Sequence, residues 1–162
     1  AMKAFESLMT PSFEELDDSI PFAAEKALLK NLKTLFLILA GTAVQKYMTK
    51  LADEQEILMA AADIAIQIFA IESAVLRAEK ACRSANEKKK ALLEAVVKVF
   101  VFSATEIAGS AAKKGAFYVE EGDQLLMVLS GVRRFAKYDA TGRLQAKRLL
   151  AATVCEEEKY LF

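Results

Sequence analysis

No proline follows Pro21 in this 162-residue chain, and the other one is Pro11. Proline removes an amide donor and clashes with the preceding turn of a helix, so nothing beyond Pro21 forces a long helix to stop. Six glycines are also too few for the turns that many short strands need. The expected class is all-α. A chain of this length fits one domain and buries roughly 70% of its unfolded surface, enough for a core without staples. With 54% apolar and 27% charged residues, the composition is that of a folded chain and not a disordered one.

Charge and missing residue types exclude several functions. Lys plus Arg total 22 and Asp plus Glu total 22, giving zero formal charge. Phosphate backbones are bound through a cationic surplus, so the balance gives no case for nucleic acid as a partner. There is no histidine, which removes Ser-His-Asp and Cys-His catalysis, histidine-bearing zinc sites and Glu-x-x-His di-iron sites. Gly115 and Gly122 form no G-x-G-x-x-G loop and follow no strand. No catalytic, cofactor-binding or metal-ligating residue is assigned. Cys82 and Cys155 are distant and lack C-x-x-C spacing, the pattern of reduced thiols in an intracellular protein. No signal peptide is visible. The longest nearly uninterrupted apolar stretch, Leu35 to Val44, is shorter than the roughly 20 residues of a bilayer span. The expected location is intracellular, either cytoplasmic or peripheral to a membrane.

Periodicity then divides the chain. Ala1-Met2 has the look of an expression scar, and residues 1–20 are expected to be an arm of short helical pieces. Residues 21–162 are expected to form an up-down antiparallel bundle of four to five main helices. Ser19 and Pro21 suit the start of a first helix from about Phe22 to Lys50, with Leu28, Leu32, Leu35, Leu39, Ala43 and Tyr47 at steps of three and four. Asp53 suits the cap of a second helix running to about Ser84, whose seam is Ile57, Ala61, Ile64, Ile68, Ile71 and Val75. Asn86 suits the cap of a third helix, to about Lys114. Its VVKVFVF run would favour a strand in isolation, but the helical frame around it is long. Gly115 to Gly122 is the clearest break. Two shorter helices follow, from about Asp123 to Ala136 and from Asp139-Thr141-Gly142 to about Glu157.

A few positions stand out as functional candidates. Opposite Leu32 and Leu39, the first helix carries Leu37, Ile38, Gly41, Val44 and Met48, so its second half is apolar nearly all round. Such a helix must be covered on more than one side. It either sits centrally in its own domain, docks on a missing domain or second subunit, or meets a membrane. On the second helix, Ala60, Ala70 and Ala74 allow close helix approach or are simply good exposed helix formers. Glu72 falls on the side of Ala65, Ile68, Phe69 and Leu76. A carboxylate there is either a general base or the partner of a Lys or Arg, and no second acid or nucleophile accompanies it. Arg133, Arg134, Lys137, Tyr138, Arg143, Lys147 and Arg148 make the C-terminal region basic, answered by Glu156, Glu157 and Glu158. They are either an anion site or a solvated helical face. Lys88, Lys89 and Lys90 suit a solvated helix end.

The segment from Ala52 to Ala78, ADEQEILMAAADIAIQIFAIESAVLRA, together with the late RRFAKY and the terminal EEEKYLF, resembles the C-terminal helical domain of very-long-chain-type acyl-CoA dehydrogenases. The resemblance covers most of residues 20–162. It implies a flavoenzyme parent of fatty acid metabolism that oxidises an acyl-CoA thioester to a 2,3-enoyl-CoA. The FAD and the catalytic base would lie in upstream dehydrogenase domains, and this chain alone would not be catalytic. The implied partner is the dehydrogenase core of the same chain, with a homodimer and peripheral membrane contact as further options. The alternative is a free-standing helical adaptor or dimerisation module.

Overall fold

A computed structural model describes residues 20–158. The expected N-terminal arm, apart from Ile20, lies outside the described residues, as do Ser19 and residues 159–162. Five α-helices make up the described part: α1 (Ala23–Tyr47), α2 (Gln55–Cys82), α3 (Glu87–Val119), α4 (Gly122–Phe135) and α5 (Arg143–Glu157), with a 3-10 turn at Met48–Asp53. No strand occurs among the described residues, and VVKVFVF lies within α3.

The helices run up, down and up. Lys26 pairs with Glu79 at 3.1 Å and Lys33 with Glu72 at 2.6 Å, so α1 and α2 are antiparallel. Lys46 donates to the Val119 carbonyl and Tyr47 to that of Tyr118, so α1 and α3 end at the same level. At 33 residues, α3 is about 50 Å long. The last downward leg is divided. The backbone reverses at Glu120–Glu121 into α4, which returns along the C-terminal half of α3 until Ala136 reaches Gly109. α5 then covers the N-terminal half, from Arg143 beside Phe102 to Glu157 beside Lys88.

The core is where α1, α2 and α3 meet. Leu32, Leu35, Ile38, Ile64, Ile71, Val75, Val101 and Val119 are its most deeply buried large residues. Each such side chain contributes roughly 1.5–3 kcal/mol by leaving water. From Ala104 to Ala116 the buried residues of α3 are nearly all small: Ala104, Ala108, Ala111, Ala112, Gly115 and Ala116. Ala60 is buried and lies against Gly115, so it serves close approach, whereas Ala70 and Ala74 are half-buried.

Helix boundaries show where local signals succeed and fail. Asn86 Oδ1 accepts the Lys89 amide at 2.9 Å, as an N-cap should. Asp139 Oδ1 accepts both the amide and the hydroxyl of Thr141, ordering the turn before α5. Asp53 does not cap α2. It ends the 3-10 turn, and the N-cap position belongs to Glu54, whose side chain makes no capping bond. α1 stops three residues before Lys50 because Met48 takes φ 48°, outside the helical region. Gly115 is not the expected break. α3 continues through it to Val119, and its missing side chain makes room for Leu39.

Two stretches, Ala23–Asp53 and Gln55–Cys82, are long and apolar enough on average to cross a membrane, although the run Leu35 to Val44 alone is not. Core helices of folded proteins meet the same criterion. α1 spends most of its apolar surface on α2, α3 and α4, whereas α2 leaves a whole face open.

Candidate functional site

The most distinctive surface is the outer side of the α1–α2 pair. Leu37 is 54% exposed, Val44 53% and Met48 74%, so these members of the sequence-derived strip do face outward. Ile38 does not. It is fully buried, and Gly41 is half-buried. The physical reason is that three helices pack on α1, which widens its buried arc beyond that of a surface helix.

Beside this strip lies a larger one on α2. Met59, Ile66, Phe69 and Leu76 are all more than half exposed, and Leu58 joins them at the edge. With Ala62 and Ser73, also exposed, they follow 59, 62, 66, 69, 73, 76, a second heptad seam on the back of the first. Sequence reading followed only the Ile57–Val75 seam. The signal was available, since a helix carrying two apolar seams has two faces to cover.

Glu72 lies at the boundary between the buried and open faces, because the side holding Phe69 and Leu76 is the open one. Its carboxylate meets Lys33 Nζ at 2.6 Å, and both side chains are nearly half exposed. It is the ion-pair partner and not an isolated base. A pair so solvated contributes under about 1 kcal/mol, so its clearest effect is to fix the register of α1 on α2.

One acid is buried. Glu25 is 8% exposed and accepts the Tyr138 hydroxyl at 2.5 Å. Burial, then the hydrogen bond to Glu25 and its charge, hold the Tyr138 phenol well above its ordinary pKa of 10.0. The folded state therefore keeps a proton that the unfolded chain releases. Tyr138's contribution is fully present below pH 10 and is lost as pH rises beyond it. Tyr138→Phe should cost about 1–3 kcal/mol near neutrality, because it leaves a buried carboxylate without its donor. Its stability should also fall less steeply above about pH 10 than that of the parent chain. Urea midpoints measured from about pH 8 to 11 check both effects.

The basic C-terminal residues do not converge. Arg143 stacks over Phe102 at 3.9 Å, Lys98 donates to the Thr141 carbonyl at 3.3 Å, and Arg134 lies over Phe135. Lys88 and Lys90 pair with Glu157 and Glu87. Arg133, Lys137, Lys147 and Arg148 are exposed, so these residues spread over a solvated surface and build no anion cradle. An open cleft of about 610 Å³ lies where α1 begins and α2 ends, lined by Phe22, Glu25, Cys82, Arg83, Lys90 and Glu94 among others. Burial and then Glu94 push the Cys82 thiol up, with Lys90 opposing, which disfavours the nucleophilic thiolate. Cys82 and Cys155 are both free thiols. Among the described residues, no group of three or more His, Cys, Asp or Glu is placed to hold a metal.

The cleft among the described residues does not fit a flavin dinucleotide. A dinucleotide pyrophosphate needs convergent amide or cationic donors. Here Arg83, Lys90 and Lys98 share the cleft's lining with Glu25, Glu79 and Glu94, a mixed set and not a convergent donor cradle.

Residues 31–134 match the family described as acyl-CoA dehydrogenase, C-terminal domain. The chain belongs to this family. It is similar to a probable acyl-CoA dehydrogenase of Bacillus subtilis (strain 168), with 40% identity over 136 residues, covering 84% of this chain and 23% of that protein. It is also similar to the crystal structure of an acyl-CoA dehydrogenase complexed with FAD from Bacillus anthracis. That match has a TM-score of 0.90 and 38% identity, covering 99% of this chain and 27% of the other. The acyl-CoA dehydrogenase C-terminal domain described here thus spans about a quarter of the length of these relatives.

Proposed function

We propose that this chain is the accessory C-terminal domain of an FAD-dependent acyl-CoA dehydrogenase of fatty acid β-oxidation. The parent would convert an acyl-CoA to a 2,3-enoyl-CoA, with FAD bound in the remaining part of the chain supplying the oxidising equivalents. The domain would pack on the dehydrogenase core and support assembly or membrane association. The observation that carries this reading is the match along 99% of the chain to part of an FAD-bound acyl-CoA dehydrogenase. The outward α1–α2 surface adds support, since an apolar face of that kind is what a domain cut from a larger body displays.

The test uses the full-length parent. Saturated acyl-CoA should bleach its bound flavin, and a parent shortened by this domain should keep its flavin while losing thermal stability or native oligomeric state. A full-length protein whose flavin no acyl-CoA reduces would contradict the activity. Loss of all flavin on removing the domain in a still-folded core would contradict the division of labour.

A further inference from the structure

We infer that the α2 seam Met59, Ala62, Ile66, Phe69, Ser73 and Leu76 is the docking face for an apolar helix of the parent's dehydrogenase part. This rests on the reading of the chain as an accessory domain and says which surface makes the contact and what kind of element fills it.

The size of the surface is the first argument. Leu37, Val44, Met48, Leu58, Met59, Ile66, Phe69 and Leu76 share the outer side of the α1–α2 pair and are 38–74% exposed. At roughly 200 Å² each when fully open, they present on the order of 900 Å². The largest apolar patch on a typical monomer is about 300–600 Å². A standard protein interface takes about 800 Å² from each partner. The patch is therefore of interface size.

Its spacing says what it receives. Alternate steps of three and four over residues 59 to 76 run about 26 Å along one helix line. Large residues at 59, 66, 69 and 76 alternate with small ones at 62 and 73, which leaves holes for the side chains of a facing helix. Charge sets its direction. Exposed Glu56 and Asp63 flank the start of the seam, and exposed Arg77 and Lys80 its end. The facing helix should carry cations towards Glu56 and anions towards Arg77.

A second copy of α2 laid antiparallel would meet the same charge rule, so length decides between the two. The relatives are about four times longer than the shared region, which is 23% of one and 27% of the other. In such a parent the dehydrogenase part is tethered to this domain. A short tether gives an effective concentration in the millimolar range, far above that of a second molecule in dilute solution.

Thiol labelling of the full-length parent tests this. Ser73→Cys is nearly isosteric and sits mid-seam, while Lys89→Cys is an exposed reference in the charged start of α3. Ala62→Cys probes the seam again should Ser73→Cys perturb folding. With maleimide and mass-spectrometric quantification at each site, the seam thiol should react at least about tenfold more slowly than the reference, whatever the protein concentration. Equal rates would overturn the proposal. Slow labelling that becomes fast on dilution to a monomer would also overturn it, in favour of a second copy. Flavin content and acyl-CoA reduction in the same preparations report on the proposed activity separately, so an active enzyme with an open seam refutes only the docking.

Discussion

Ile38→Ala should destabilise the domain by about 4 kcal/mol, whereas Leu37→Ala one residue earlier should change its stability by less than about 0.5 kcal/mol. Ile38 is fully buried and Leu37 is 54% exposed. Removing three carbons from Ile38 forfeits their transfer energy and leaves a cavity among side chains already in contact. The loss is a large share of the 5–15 kcal/mol that holds an ordinary domain folded. Leu37 has water on its open side, so truncation there vacates no enclosed space. Urea unfolding of the isolated chain followed by circular dichroism measures both. Equal losses at the two positions would mean that α1 is rotated from the orientation described.

The second large effect is at the α1–α3 crossing. A Cβ on Gly115 would lie 2.6 Å from Leu39 Cδ2, 3.1 Å from Leu39 Cδ1 and 3.3 Å from Ala60 Cβ. Gly→Ala in a helix interior ordinarily gains about 1 kcal/mol. Here overpacking of about 1–3 kcal/mol opposes that gain, and Leu39 is too buried to swing away. Gly115→Ala alone should therefore cost about 1 kcal/mol. Leu39→Ala alone should cost about 2–5 kcal/mol. In that background both Leu39 contacts are gone and only the 3.3 Å approach to Ala60 Cβ remains, so Gly115→Ala should become stabilising by up to about 1 kcal/mol. The double-mutant cycle should close with a coupling of about 2 kcal/mol. Coupling near zero would show that the helices do not approach closely at Gly115.

These two sites also mark what the sequence disclosed. The helical class, the order of five helices and the Asn86 cap follow from proline placement, apolar spacing and a local hydrogen bond. Gly115 misled because glycine marks both breaks and close crossings, and only the position of Leu39 on another helix separates the two. Asp53 misled because a capping residue is chosen by the backbone geometry at the turn, which the 3-10 segment shifts by one residue to Glu54. On the candidate surface, Leu37, Val44 and Met48 were legible as an apolar excess on α1, but Ile38 was not separable from them. Its burial depends on three helices arriving around α1. Glu72 is anomalous only if the side holding Phe69 and Leu76 faces the core, and both are exposed. The second seam of α2 was written in its spacing and needed only the question of how many faces that helix must cover.

The proposed role is that of a structural part of an acyl-CoA dehydrogenase, with the flavin chemistry elsewhere in the parent. Flavin stoichiometry tests it most directly, measured by visible absorbance on the purified 162-residue chain and on the full-length parent after each is saturated with FAD and desalted. The account predicts one FAD per parent chain and none on the shorter chain. Stoichiometric FAD retained by the 162-residue chain alone would contradict it.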